Sequence, residues 1–79
     1  MSTHLAALGE CGWYERILSR VLGTDIESVH TWINAEGNEK HLSFVIRHTH
    51  ITLKLPMIGL ASGNHIHELL LDQHPELLI

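Results

Sequence analysis

Eight of the 79 residues are histidine, the side chain best suited to holding a transition metal or moving a proton near neutrality. Two His-x-His pairs draw attention first, His48-Thr49-His50 and His65-Ile66-His67. On a strand, alternate side chains share one face roughly 6–7 Å apart, so His48 and His50 could bridge a zinc or copper ion. On a helix the same spacing turns the two rings about 200° away from each other, which makes the second pair a poor chelate. A closed structural site takes four ligands, usually with cysteine or carboxylate among them, and no spacing in this chain supplies that set. Ordinary surface histidines are the simpler reading, so no metal and no cofactor is expected; a histidine-held metal at His48 and His50 is kept as a second alternative. The histidines still matter for charge. The formal net charge is −4 with histidine neutral and reaches +4 if all eight are protonated, and unperturbed imidazoles titrate near ~6.5.

Catalysis asks for more than a base. A nucleophile, a base and an orienting group must converge in a concavity, and the chain contains no Gly-x-Ser-x-Gly, Walker or His-Glu-x-x-His string. Glu15 and Glu68 fall on expected helices, where solvation explains them. The protein is therefore read as a non-enzyme. Five Lys plus Arg against nine Asp plus Glu argue against binding dominated by phosphate contacts. The single cysteine, Cys11, rules out an internal disulfide and fits a reducing cytoplasm. No run approaches the ~18 apolar residues of a membrane span, and no basic flank precedes an apolar core near the N-terminus. Neither a membrane anchor nor a signal peptide is expected.

The elements that must position these side chains follow from periodicity. Between Val29 and Leu55 apolar and polar residues alternate with the period of half-buried strands. Val29, Thr31 and Ile33 are odd-numbered, Leu42, Phe44 and Ile46 even, and Ile51, Leu53 and Leu55 odd again. Two tight turns explain two parity flips while keeping one apolar face. A first turn at Glu36-Gly37 pairs Val29 with Phe44 and Thr31 with Leu42. A second at His48-Thr49 pairs Ile46 with Ile51, Phe44 with Leu53 and Leu42 with Leu55. One long bent strand with a bulge near His48 is the rival reading.

Before this sheet, Ser2 could cap a short helical turn carrying Leu5 and Leu8, which Gly9 and Gly12 interrupt or kink. Trp13 to Leu22 then shows helical periodicity, with Trp13, Ile17 and Val21 on one stripe and Tyr14, Leu18 and Leu22 on the next; Gly23 is placed as its C-terminal cap. After it, Pro56 closes the third strand, Met57 to Ala61 is a short apolar connection, and Ser62 caps a second helix over Gly63 to Gln73 that buries Ile66, Leu69 and Leu70. His74-Pro75 stops that helix, and Leu77, Leu78 and Ile79 form a tail packed on the core or on a second copy. The expected architecture is one α+β domain over residues 1–79: a two-layer α-β-β-β-α arrangement, with a three-stranded antiparallel meander and both helices on one face.

That arrangement leaves the other face of the sheet open. It carries His30, Trp32, His41, Ser43, Val45, Thr52 and Lys54, with Arg47 and His50 toward one end. Trp32, beside Val45, is the unusual member, because a large aromatic is costly to leave wet and is typical of an interface anchor. The functional expectation is a small cytoplasmic protein–protein interaction module of the inhibitor, immunity or adaptor kind. Trp32 is its anchor, Val45, His30, His41 and Lys54 surround it, and another protein or a second copy in a homodimer is the partner.

The order of elements, the spacing from Gly37 to Phe44 and the cap position of Ser62 resemble the double-stranded RNA-binding domain over about 60 residues. The chain departs from that family at Asn38, where proline is usual, at Lys40, which takes the usual histidine position with His41 one step late, and at Gly63-Asn64, which replaces the phosphate-gripping lysine pair. The resemblance implies the same topology and, as an alternative function, a divergent nucleic-acid binder using Lys40, His41, Arg47 and Lys54.

Overall fold

The computed structural model describes residues 9–79. Helix α1 spans Glu10–Leu22, strands β1, β2 and β3 span Glu27–Ile33, Lys40–Ile46 and Thr49–Leu55, helix α2 spans Gly63–Gln73, and a 3₁₀ turn covers Pro75–Leu78. The strands form one antiparallel sheet in the order β1-β2-β3. Both helices cover the same face, as the alternation requires. Tyr14, Ile17 and Leu18 from α1 and Ile66 and Leu70 from α2 are buried in one cluster with Leu42, Phe44, Ile46, Ile51, Leu53 and Leu55 from the sheet. The helical turn expected from Ser2 lies outside the described residues.

Local signals explain most boundaries. Gly23 ends α1 at φ 69°, a left-handed conformation open to glycine, and its N–H closes on the Ser19 carbonyl at 2.9 Å. The Ser62 side chain caps α2 by accepting from the His65 N–H at 3.1 Å. Helix α1 begins three residues before Trp13, with Gly9 as N-cap. Gly12 lies inside the helix and is buried there, so it does not break the helix as its type suggested. Burial on α1 centres on Tyr14, Ile17 and Leu18, while Trp13 is left 39% exposed and Val21 and Leu22 pack only partly on the core. The tail divides similarly: Leu77 and Leu78 pack on the core and Ile79 is exposed.

The two hairpins correct the expected register. In the first, Thr31 faces Leu42 as expected, and Asn34 organises the loop by accepting from the Asn38 and Glu39 N–H groups with its side-chain oxygen. Val29 is not paired with Phe44, because the ladder shifts between Glu27 and His30. Ser28 there has φ 56°, the extra residue of a bulge. In the second hairpin, Phe44 faces Ile51, Leu42 faces Leu53 and Ile46 faces Thr49. The turn is Arg47-His48, not His48-Thr49, and both residues have positive φ, 49° and 68°. Two consecutive left-handed residues make the mirror-image turn whose twist matches the strands. The register therefore differs by two residues from the expectation, a shift that leaves every side chain on its face.

The connection from β3 to α2 is held at Ala61, whose backbone groups are both taken by α1. The buried Ala61 N–H donates to the Tyr14 hydroxyl at 3.0 Å, and the Trp13 indole N–H donates to the Ala61 carbonyl at 2.9 Å. Tyr14→Phe would leave a buried N–H unpaired, at a cost of about 1–3 kcal/mol. A fall in melting temperature of roughly 5–20 °C is expected for a domain of this size. Thermal denaturation followed by circular dichroism checks it, and an unchanged midpoint would show that the bond contributes nothing.

Candidate functional site

The open face is built on three rows of paired strand residues: Glu27, Val45 and His50; His30, Ser43 and Thr52; and Trp32, His41 and Lys54. Trp32 is 37% exposed. It stacks on His30, two residues before it on β1, with ring centroids 5.3 Å apart, and on His41, directly opposite on β2, at 5.2 Å. Interplanar angles of 24° and 22° make both contacts near-parallel stacks, the geometry aromatic pairs favour over a random approach. A tryptophan thus stands on the sheet stacked against two imidazoles.

His41 is itself held from the loop. Its Nε2 is 3.1 Å from Glu39 Oε1, and Lys54 Nζ lies 3.5 Å from Glu39 Oε2. A carboxylate only accepts, so His41 donates through Nε2–H, and the ring's other nitrogen is Nδ1. That Nδ1 is buried and has no hydrogen-bond partner among the described residues. The bond from His41, followed by the Lys54 charge, holds the Glu39 carboxyl below the usual glutamate range. The sign of the consequence follows from linkage: a carboxylate with a folded pKa below its unfolded value stabilises the fold above the unfolded pKa, and that contribution fades as pH falls through the folded one. The Glu39 carboxyl should titrate below the ordinary glutamate value in an NMR pH series, and Glu39→Gln should flatten the acid-side loss of stability. A Glu39 midpoint at or above the ordinary glutamate value would remove this account.

The other expected site residues are distributed differently. Val45 shares the face but is not beside Trp32; it lies two same-face positions along β2 from His41, opposite Glu27 and His50. Ser43 is on the same face yet buried, at 6% exposure, between His30 and Thr52. Lys40 stands on the opposite, helix-covered face, where its ammonium pairs with Glu10 of α1 and its side chain is mostly buried. Arg47 is in the turn at the far end of the sheet, beside a cavity of about 240 Å³ lined by Ile46, Thr49, Ile51, Glu76 and Leu77. Lys40, His41, Arg47 and Lys54 therefore do not form one basic surface. His48 occupies the turn and His50 the strand after it, so they are not alternate residues of one strand, as a bridged metal would need. Among the described residues, no cluster of three or more His, Cys, Asp or Glu is placed to hold a metal ion. No helix described is long and apolar enough to cross a membrane.

Exposed apolar side chains also stand away from the open face. Ile33, at the end of β1, is 50% exposed although it belongs to the core-facing set. In the connection after β3, Met57, Ile58 and Leu60 are exposed, with Ile58 at 91%. Comparison with protein-family models, with curated protein sequences and with solved structures finds no match for this chain.

Proposed function

We propose that the protein is a small cytoplasmic, non-enzymatic binding module that recognises another protein through the open face of its sheet, as inhibitors, immunity proteins and adaptors do. The observation that carries this reading is the His30–Trp32–His41 stack. Aromatic anchors dominate binding energy when they are rigid and become desolvated at the centre of a contact, and Trp32 combines a large apolar surface with an orientation already fixed by stacking. Lys54 and Glu39 beside it supply a charged rim, the usual surround of such an anchor. Lys40 is tied to Glu10 under the helices, which leaves the nucleic-acid alternative with less support than the protein-binding one.

The test is a matched set of affinity captures from the native host with wild type, Trp32→Ala and the distant control Ile58→Ala. The expected result is a protein retained by wild type and Ile58→Ala and lost with Trp32→Ala. A partner retained equally by all three would overturn the assignment to this face.

A further inference from the structure

The two edges of the sheet are finished in different ways. On the outer edge of β3, the Gln73 side chain at the end of α2 takes both backbone groups of Lys54: the Lys54 N–H donates to Oε1 at 2.7 Å, and Nε2 donates to the Lys54 carbonyl at 3.0 Å. The His74 ring adds a bond from Nε2 to the Thr52 carbonyl at 2.7 Å. Side chains thus occupy the positions where another strand would pair. Unpaired edges template association, and proteins cover or charge them for that reason.

Among the described residues, nothing covers the edge of β1 in this way. The Asn34 N–H bonds inward to the Glu39 carbonyl, and antiparallel bonding alternates along a strand. Trp32 and His30 therefore bond inward to β2, while Thr31 and Ile33 direct their N–H and C=O groups outward. Among the described residues, no hydrogen bond reaches these outward groups. The bulge at Ser28 confines the free edge to Val29–Ile33. That stretch contains no lysine, no proline and no acidic residue, the usual blunting devices.

We propose that β1 pairs antiparallel with β1 of a second copy, about a two-fold axis at Thr31, to give a continuous six-stranded sheet. The occupant is argued from the strand's complementarity to itself. In this register Thr31 meets Thr31 of the second copy, Val29 meets Ile33, and His30 meets Trp32. Each is a favourable cross-strand pair, and no pair sets like charges opposite each other. The outward residues on one strand face outward residues on the other, so each bonded pair exchanges both backbone bonds. Ile33, half exposed in one copy, is covered by Val29 of the other. An axis perpendicular to the sheet keeps all helices on one side and joins the two open faces into one, with each Trp32 next to an imidazole from the other copy. A contact of one short strand falls below the ~1,200 Å² of standard interfaces, so the dimer is reversible and depends on concentration.

The inference concerns the edge and leaves the open face free, so loss of the dimer and loss of partner binding are separate readings. Sedimentation equilibrium over a wide concentration range should show mass rising from 8.9 kDa to twofold. Hydrogen exchange at the Thr31 and Ile33 amides should slow over the same range. Ile33→Pro removes an outward N–H without touching the inner ladder and should remain monomeric with the wild-type circular dichroism spectrum; if it fails to fold, Ile33→Lys, which keeps the amide and sets a charge against the apolar Val29, takes its place. A mass of one chain at every concentration overturns the proposal. So does a dimer that survives these variants with unchanged exchange at Thr31 and Ile33, since it would use another surface.

Discussion

Phe44→Ala is expected to leave most of the chain unfolded at room temperature. Phe44 lies at the middle of the central strand, is fully buried, and faces Ile51 across the β2–β3 ladder under the two helices. Truncating a buried phenylalanine costs about 3–5 kcal/mol, the transfer loss plus the cavity left behind. Domains hold roughly 0.05–0.15 kcal/mol per residue, and chains near this length fall toward 3–5 kcal/mol in total. Loss and margin are of the same size, so the folded fraction should collapse. Urea denaturation of Phe44→Ala beside Ile58→Ala, whose side chain is 91% exposed, separates core packing from generic sensitivity. A midpoint for Phe44→Ala near that of wild type would mean that the cluster joining sheet and helices is not what stabilises this fold.

The same cluster was legible in the alternation, and the reason marks where reading stops. Side chains on a strand repeat every two residues, so parity alone assigned Leu42, Phe44, Ile46, Ile51, Leu53 and Leu55 to one face and Trp32 to the other, and the structure has them there. Parity cannot separate two registers that differ by two residues. That choice belongs to the turn, and Arg47-His48 adopts positive φ at both positions without the glycine, asparagine or aspartate that normally signals it. Ser28 likewise makes a bulge with none of the glycine that would mark one. Caps were readable because their chemistry is local: Ser62 accepts from His65 N–H and Gly23 takes the left-handed position.

The candidate site was readable to the same depth. The stack of His30, Trp32 and His41 follows from alternation plus the first hairpin, since it needs only two residues on one strand and one directly across. Its support from Glu39 was not visible, because Glu39 belongs to the loop, where no period applies. Nor were the edge contacts of Gln73 and His74, which depend on how α2 docks beside β3. Lys40 shows the reverse case. It entered the basic set through family resemblance, although its even number places it with Leu42 and Phe44 on the covered face, where Glu10 receives it.

Trp32→Ala should separate binding from folding more sharply than any other substitution in the chain. Truncating a central aromatic anchor typically costs a complex at least 2 kcal/mol, so partner affinity should fall by roughly 30-fold or more. The free protein should hardly respond. Trp32 adds no side chain to the buried cluster, and a cross-strand aromatic pair is worth about 0.2–1 kcal/mol, which moves a melting midpoint of a domain this size by only a few degrees. Trp32→Phe keeps a stacking ring between His30 and His41 and should recover part of the affinity, whereas Phe44→Ala loses binding and fold together. Equal loss of stability and affinity in Trp32→Ala would place the tryptophan with the core residues as a structural element. Full affinity with unchanged stability would move recognition away from this face, and the exposed Met57–Leu60 connection, at the end of the sheet where β3 runs out, would become the surface to examine by the same pair of measurements.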